Sequence, residues 1–518
     1  MARAIKNLWR LFIISRVLAR HDALFLVEHL PVARAVLLLA RLVAWKREAG
    51  RPGQRLARAL SELGPTFIKV GQALSTRPDL LGEEVAADLS ELQDRLSPFP
   101  SAQAKAIIEK ELGAPLSELY ADFHDEPVAA ASIAQVHFAT TLDGEEVAVK
   151  VLRPGVEKAF ARDLDLLYWI AGLVEAAQPS LRRLKPVETV KTFEDSIEME
   201  MDLRFEAAAG SELAENLLED PGFHIPAIEW RLTSQRVLTL ERIHGIPIDE
   251  REALIAAGHD PKVIITNAAN AFFNMVFRDG FFHADMHPGN LFVDKNGRIV
   301  AVDFGIMGRV DRDTRRYLAE MLLGFLTGNY RRVAEVHFEA GYVPADKSID
   351  AFTQASRSIG EPIMGRPLEE ISVARLLGQL FQITEQFGME TQPQLLLLQK
   401  TMVLAEGLGR ILQPDTNIWI LAQPLVERWM RDNLGPQARV KRAVESVAMA
   451  AETLPRILQH AEHTAKMFGS ASGASGGLKL HKETLDALTK KPQGARRPLI
   501  TALPWVLVAM LLYALLVK

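Results

Sequence analysis

The sequence predicts a helix-rich α+β fold, on three observations. Runs with strand character are short and few: residues 127–152, including VAVKV at 147–151; RVLTLERI at 236–243; and LFV at 291–293 with VAVD at 300–303. Most of the remaining chain, notably 187–217, 262–280 and 311–432, has helical periodicity. Hydrophobic residues make up 48% of the 518 residues and charged residues 24%, enough for a packed core and for several domains.

Taken in order, residues 1–60 are a basic, apolar-rich helical extension. Arg3, Lys6, Arg10, Arg16 and Arg20 fall in the first twenty positions, with no acid before Asp22. Arg16 interrupts the apolar run too early for a secretory signal. A basic helix resting on a membrane surface is preferred over a mitochondrial presequence, which has only Ser15 in its favour. Residues 61–125 read as helix, broken near Pro98 and Pro100. The turn Asp143-Gly144 introduces the VAVKV strand. Residues 441–497 read as helix and linker, with GSASGASGG at 469–477 as a flexible stretch.

The C-terminal segment 498–518 is read as a single transmembrane helix. Its first twenty residues, 498–517, carry no charge, and at about 1.5 Å per residue they reach across a hydrocarbon core of about 30 Å. Lys490, Lys491, Arg496 and Arg497 precede the segment and only Lys518 follows it. The positive-inside rule then puts the bulk of the chain on the cytoplasmic side.

Some chemistry is excluded at once. The chain has no cysteine, so a disulfide framework, a thiol nucleophile and Cys-ligated zinc are out. A formal net charge of −5 gives no overall attraction to nucleic acid.

The informative stretch is FFHADMHPGNLFVDKNGRIVAVDFG, residues 281–305. Asp285 precedes Pro288-Gly289 and therefore sits in a tight loop. Asn290 opens one short strand and Asp303 ends another, and Asp294-Lys295-Asn296-Gly297 is a hairpin signal between them. The hairpin brings an amide oxygen and a carboxylate together, hard ligands suited to Mg²⁺. Asp285 remains to orient a hydroxyl or water.

This arrangement resembles the catalytic loop and Asp-Phe-Gly motif of the protein kinase-like fold. That fold also has a strand lysine paired with a helix glutamate, for which Lys150 and Glu206 are the candidates. The departures are equally specific. AAASIAQVH (129–137) stands where protein kinases have a Gly-rich loop, position 287 is His rather than Lys, and no Ala-Pro-Glu follows Gly305. LGPTFIKVGQALSTRPDLL (63–81), with its Lys69-Val70-Gly71-Gln72, and Glu200-Met201-Asp202 complete a set that resembles the UbiB family of atypical kinase-like proteins involved in ubiquinone biosynthesis.

The resemblance implies a two-lobed kinase-like fold, with residues 126–245 as the N-lobe and 246–440 as the C-lobe. It implies ATP and Mg²⁺ as cofactors. Lys150, Glu206 and Asp285 would be catalytic, with Lys150 on the α/β-phosphates. Ala129, Ala130, Ala131, Ser132, Ile133, Ala134, Gln135 and Val136 would form the phosphate loop, Glu241 the adenine-binding hinge, and Asn290 and Asp303 the metal site. Lys69, Gln72, Glu200 and Asp202 would be a family-specific cover over the peptide site. The implied activity is an ATPase or small-molecule kinase at a membrane, bacterial inner membrane before mitochondrial. Its partners would be membrane lipid, quinone precursors and other ubiquinone-biosynthesis proteins. A protein kinase acting on a biosynthetic enzyme and a nucleotide-switched lipid chaperone or scaffold are the alternatives.

Overall fold

A computed structural model of the chain describes residues 2–24, 50–75, 81–90, 96–177, 186–362, 382–384, 386–389, 393–413 and 418–434. Helix α1 (Ala2–Arg20) opens the chain. It is followed by α2 (Pro52–Leu63), α3 (Pro65–Ser75) and α4 (Glu83–Ser90). Gly64, at φ 102°, ends α2 and lets α3 fold back on it. Ile14 and Leu18 of α1 are buried with Leu56, Leu60 and Phe67. Part of the basic helix is thus docked on the chain: Arg20 pairs with Glu62, while Trp9 on the other side is 65% exposed.

Helix α5 (Ser101–Leu112) and the single turn α6 (Leu116–Leu119) lead into a five-stranded antiparallel sheet. Its strands are β1 (Tyr120–Phe123), β2 (Ala129–Ala130), β3 (Ala134–Thr141), β4 (Glu146–Leu152) and β6 (Val237–Glu241), in the order β1-β3-β4-β6 with β2 on β3. β1 lies in the stretch 61–125 read as helix. Four residues, one of them Asp122, are too short a run to show alternation, and Tyr120 is held there by its hydroxyl contact with Thr239 at 2.9 Å. Alternation in β4 sorts its side chains. Val149 and Val151 bury with Phe99, Ile108 and Val237 beneath α5. Leu152 turns the other way, toward α7 (Val156–Ala177), α8 (Pro186–Glu200) and α9 (Leu203–Asn216), with Phe160, Ile197 and Leu203. Lys150 has the parity of Leu152, so it faces the helices.

The described chain beyond β6 is mostly helical: α10 (Arg251–Ala256), α11 (Pro261–Phe273), α12 (Arg312–Leu326), α13 (Tyr330–Glu339), α14 (Ile349–Gly360), α15 (Pro393–Leu412) and α16 (Ile418–Leu434). Two small sheets lie among them. One is β5 (Phe223–His224), β10 (Ile299–Ala301), β9 (Leu291–Asp294) and β7 (Gly245–Pro247), in that order; the other pairs β8 (Phe281–His283) with β11 (Met307–Arg309). The β9–β10 hairpin is the one expected. The Asp294 carboxylate accepts from the main-chain N–H of Asn296 and Arg298 across its turn. β10 stops at Ala301, short of the expected Asp303, because Asp303 is turned into the left-handed region at φ 63°.

Among the described residues no helix is long and apolar enough to cross a membrane. The expected span at 498–517 and the linker at 469–477 lie outside the described residues.

Candidate active site

Lys150 occupies the middle of the sheet, opposite Val136 of β3 and Leu238 of β6. Its ammonium donates to both oxygens of Glu206, at 2.7 and 2.9 Å, and to Asp303 Oδ1 at 3.1 Å. Glu206 is presented by the first turn of α9, whose N-cap is Asp202: its carboxylate accepts from Arg204 N at 3.1 Å. One ammonium is therefore shared by two carboxylates. Burial alone would lower the proton affinity of Lys150, but the charges of Asp303 and Glu206 lift it above its ordinary value. Asp303 is held well below the usual carboxylate range by Lys150, with help from Lys69 and His283. Glu206 loses that competition. Its burial pushes it up to about 7, against the pull of Lys150.

The Asp285 loop is tied to this cluster by His283. Its Nδ1 accepts from Asp285 N at 3.1 Å, and its Nε2–H donates to Val302 O at 3.3 Å. Burial disfavours the imidazolium, which matches this neutral tautomer. Asn290 is buried. Its side-chain Nδ2 donates to Asp285 O at 3.1 Å and its main-chain carbonyl accepts from Val302 N at 2.9 Å. The main chain of Asn290 thus pairs with Val302, the residue just before Asp303. The Asp303 side chain is 49% exposed, so an ionised carboxylate is open to a ligand. Phe304 packs under the loop with its ring 5.9 Å from His283. α9 passes so near that a Cβ on Gly210 would lie 2.9 Å from Phe304.

Donor chemistry at Asn290 and Asp303 fits Mg²⁺, which takes one or two carboxylates and completes its shell with phosphate and water. Among the described residues no group of three or more His, Asp or Glu forms an all-protein cage.

Other expected residues fall differently. Lys69 of α3 meets Glu200 at the end of α8, Nζ to Oε2 2.7 Å, with both side chains largely buried. Asp202 does not join that pair; its carboxylate is taken up by the backbone and guanidinium of Arg204. Gln72 is half-buried on α3.

The alanine-rich loop is a sewn-down turn. Ala129 and Ala130 pair with Val136 and Gln135. Ala131 N donates to Ala134 O at 2.8 Å, and Arg153 Nε donates to Ala131 O at 2.9 Å. Ser132 and Ala134 are buried. Ile133 packs into the cluster with Phe160 and Leu203 instead of facing phosphates. The Gln135 amide is occupied by both main-chain groups of Phe99, at 3.0 and 3.3 Å. These two side chains are structural, because β3 alternation turns Gln135 inward and apolar burial claims Ile133. Glu241 closes β6 as expected, but its N–H donates to Ala227 O at 2.8 Å and its carboxylate takes His224 and Ala227 N. That N–H is not available to a base.

Sequence reading passed over two side chains at the site. His283 had a signal, standing two residues before Asp285. Lys400 had none: its ammonium donates to Asp285 Oδ1 at 2.8 Å from α15, a helix more than a hundred residues further on.

Residues 91–337 match the ABC1 atypical kinase-like domain and residues 356–417 the UbiB helical domain. A probable protein kinase UbiB from Marinobacter nauticus is 48% identical over 442 residues, 84% of this chain and 81% of that protein. The chain belongs to the UbiB family. A second such relative, a probable protein kinase UbiB from Azotobacter vinelandii, is 42% identical over 496 residues, 90% of this chain and 92% of its own length. Among solved structures, the complex of Rv3197 with erythromycin from Mycobacterium tuberculosis is 26% identical with a TM-score of 0.51, covering 71% of this chain and 93% of that one. The family assignment agrees with the kinase-like, helix-rich α+β fold described above.

Proposed function

We propose that the chain is a membrane-anchored, ATP-dependent phosphotransferase or ATPase that supports ubiquinone synthesis. The observation that carries this reading is the Lys150–Glu206–Asp303 cluster, joined through His283 to the Asp285 loop. Lys150 supplies charge for the α/β-phosphates, and Glu206 fixes its position. Asp285 orients the acceptor hydroxyl or water and takes its proton. Asn290 and Asp303 would hold Mg²⁺, which shares the phosphate charge when bound. The Lys69–Glu200 pair beside this cluster favours a small acceptor over a protein segment. On this reading a small acceptor is preferred to the protein substrate that the names of the relatives suggest. Residues 498–517 are proposed as the anchor, with the catalytic part on the cytoplasmic face of a bacterial inner membrane and lipid-soluble quinone precursors within reach.

The test is phosphate release by the full-length chain in lipid vesicles, with and without a quinone precursor. Asp285→Asn should lower turnover by about 10²–10⁴-fold. Asp303→Asn keeps a residue tolerant of positive φ, so loss of Mg²⁺-dependent thermal stabilisation by ATP would trace to the charge. Wild-type turnover in Asp285→Asn would sink the reading. So would phosphorylation of unrelated peptides by the wild type, if Asp285→Asn abolished that activity.

A further inference from the structure

Lys400 lies outside the ABC1 domain, in the UbiB helical domain. Its helix α15 is locked into the main core: Leu398 and Leu408 are buried there, and Leu397 and Met402 pack against the same cluster. The backbone is therefore fixed while the four-carbon side chain carries the ammonium to Asp285. The other Asp285 oxygen, Oδ2, lies 3.9 Å from His287 Nε2. The other two lysines near the site have carboxylate partners other than Asp285, Lys150 in Glu206 and Asp303 and Lys69 in Glu200.

The catalytic loop has His287 at the place where protein kinases carry a lysine, and the structure brings a lysine to the same carboxylate from another element. An acceptor hydroxyl bound to Asp285 must sit about 3–3.5 Å from the phosphorus it attacks. The phosphoryl oxygens then fall within one side-chain swing of the Lys400 ammonium. A phosphoryl group carries more charge than one carboxylate and competes for the ammonium on favourable terms.

We propose that Lys400 is a catalytic residue of the phosphoryl transfer, moving from Asp285 onto the γ-phosphoryl oxygens of the bound nucleoside triphosphate. This rests on the phosphoryl-transfer reading above. The acceptor oxygen bonds to the γ-phosphorus as the β–γ bridging P–O bond breaks. The acceptor proton passes to Asp285, the diphosphate leaves with the electron pair of the broken bond, and Lys400 neutralises the transferred oxygens. Departure of Lys400 also frees Asp285 Oδ1 to accept that proton.

The experiment compares Mg-ATP and Mg-ADP affinity, then phosphate release, in wild type, Lys400→Met and Lys400→Arg of the full chain in vesicles. Wild type should prefer ATP. Lys400→Met should weaken ATP by about 10-fold or more, as expected for one charged hydrogen bond, with ADP affinity unchanged. Its turnover should fall by about 10²-fold, and Lys400→Arg should recover part of both. An unchanged ATP-to-ADP ratio in Lys400→Met overturns the proposal even if turnover falls. Faster turnover overturns it too, since the contact would then be a brake. If Lys400→Met fails to unfold cooperatively, Lys400→Gln is read instead. A wild type that binds no Mg-nucleotide defeats the phosphoryl-transfer reading and this proposal together; binding with an unchanged ratio defeats this one alone.

Discussion

Lys150 and Lys400 each put an ammonium on an aspartate of the site, in different surroundings. Lys150 rises from a strand paired on both sides and meets two carboxylates; its side chain is 13% exposed and that of Glu206 9%. Lys400 comes from a helix, meets one carboxylate, and both side chains are more open, at 29% and 22%. A buried charge with fixed partners is costly to move and costly to remove. A pair partly open to water costs less to break. The first arrangement suits a permanent part of a binding site, the second a group that changes partners within a reaction.

The comparison breaks most visibly at Lys150. Replacing it by Met leaves Glu206 buried beside Asp303 without a cation, and should destabilise the fold by about 3–5 kcal/mol at pH 8. At pH 6 the loss should be smaller, because Glu206 then takes up a proton. Urea unfolding at the two pH values measures both. An equal loss at each would mean that Glu206 carries no charge to be compensated.

Glu206 itself sharpens the comparison through pH. Its folded value of about 7 stands above the ordinary 4.5. Between those values the folded chain keeps a proton that the unfolded chain has released, so stability falls as pH rises through that window. Against Glu206→Gln, wild type should lose on the order of 1–3 kcal/mol from pH 4.5 to 7. Asp303, shifted downward, titrates below the window. Parallel stability profiles for the two proteins would refute the assignment.

The smallest effect belongs to Lys400. Lys400→Met should change stability by less than about 1 kcal/mol, in contrast to its expected effect on turnover. A loss as large as that at Lys150 would place Lys400 among the structural ion pairs and remove the contrast.

The same contrast explains what the sequence disclosed. Lys150 stands out in VAVKV because a charge within an apolar strand needs a partner. Asp285, Asn290 and Asp303 are legible because a tight loop and a hairpin fix their spacing. Lys400 lies in LLLLQKTMVLAEG, where a helix lysine is ordinarily a solvated charge. Only the packing of α15 on the core brings it to Asp285. The family resemblance implies nucleotide contact for Gln135 and Ile133 as members of the alanine-rich loop, but their burial follows from strand parity and from helices far along the chain. Glu241 is at the strand end the sequence indicates. Its N–H is consumed by Ala227, a pairing between the strand end and a loop that leaves no local pattern. The strand β1 carried too few residues to show alternation.

The seam between Phe99 and the alanine-rich loop bears on how the chain can be dissected. Leu96 N donates to Ala130 O at 3.1 Å, Arg153 reaches Ser97 O at 3.0 Å, and the Phe99 backbone occupies the Gln135 amide. Gln135 in turn meets His137 at 2.8 Å, both fully buried. A fragment begun at Ser101, at the start of α5, would look like a tidy kinase-like domain. It would discard the Phe99 ring from the cluster under α5 and open the Gln135–His137 pair to water. The practical boundary of the folding unit therefore lies upstream of Leu96, and an expression fragment trimmed to the sheet and its helices would lack one wall of its own interior.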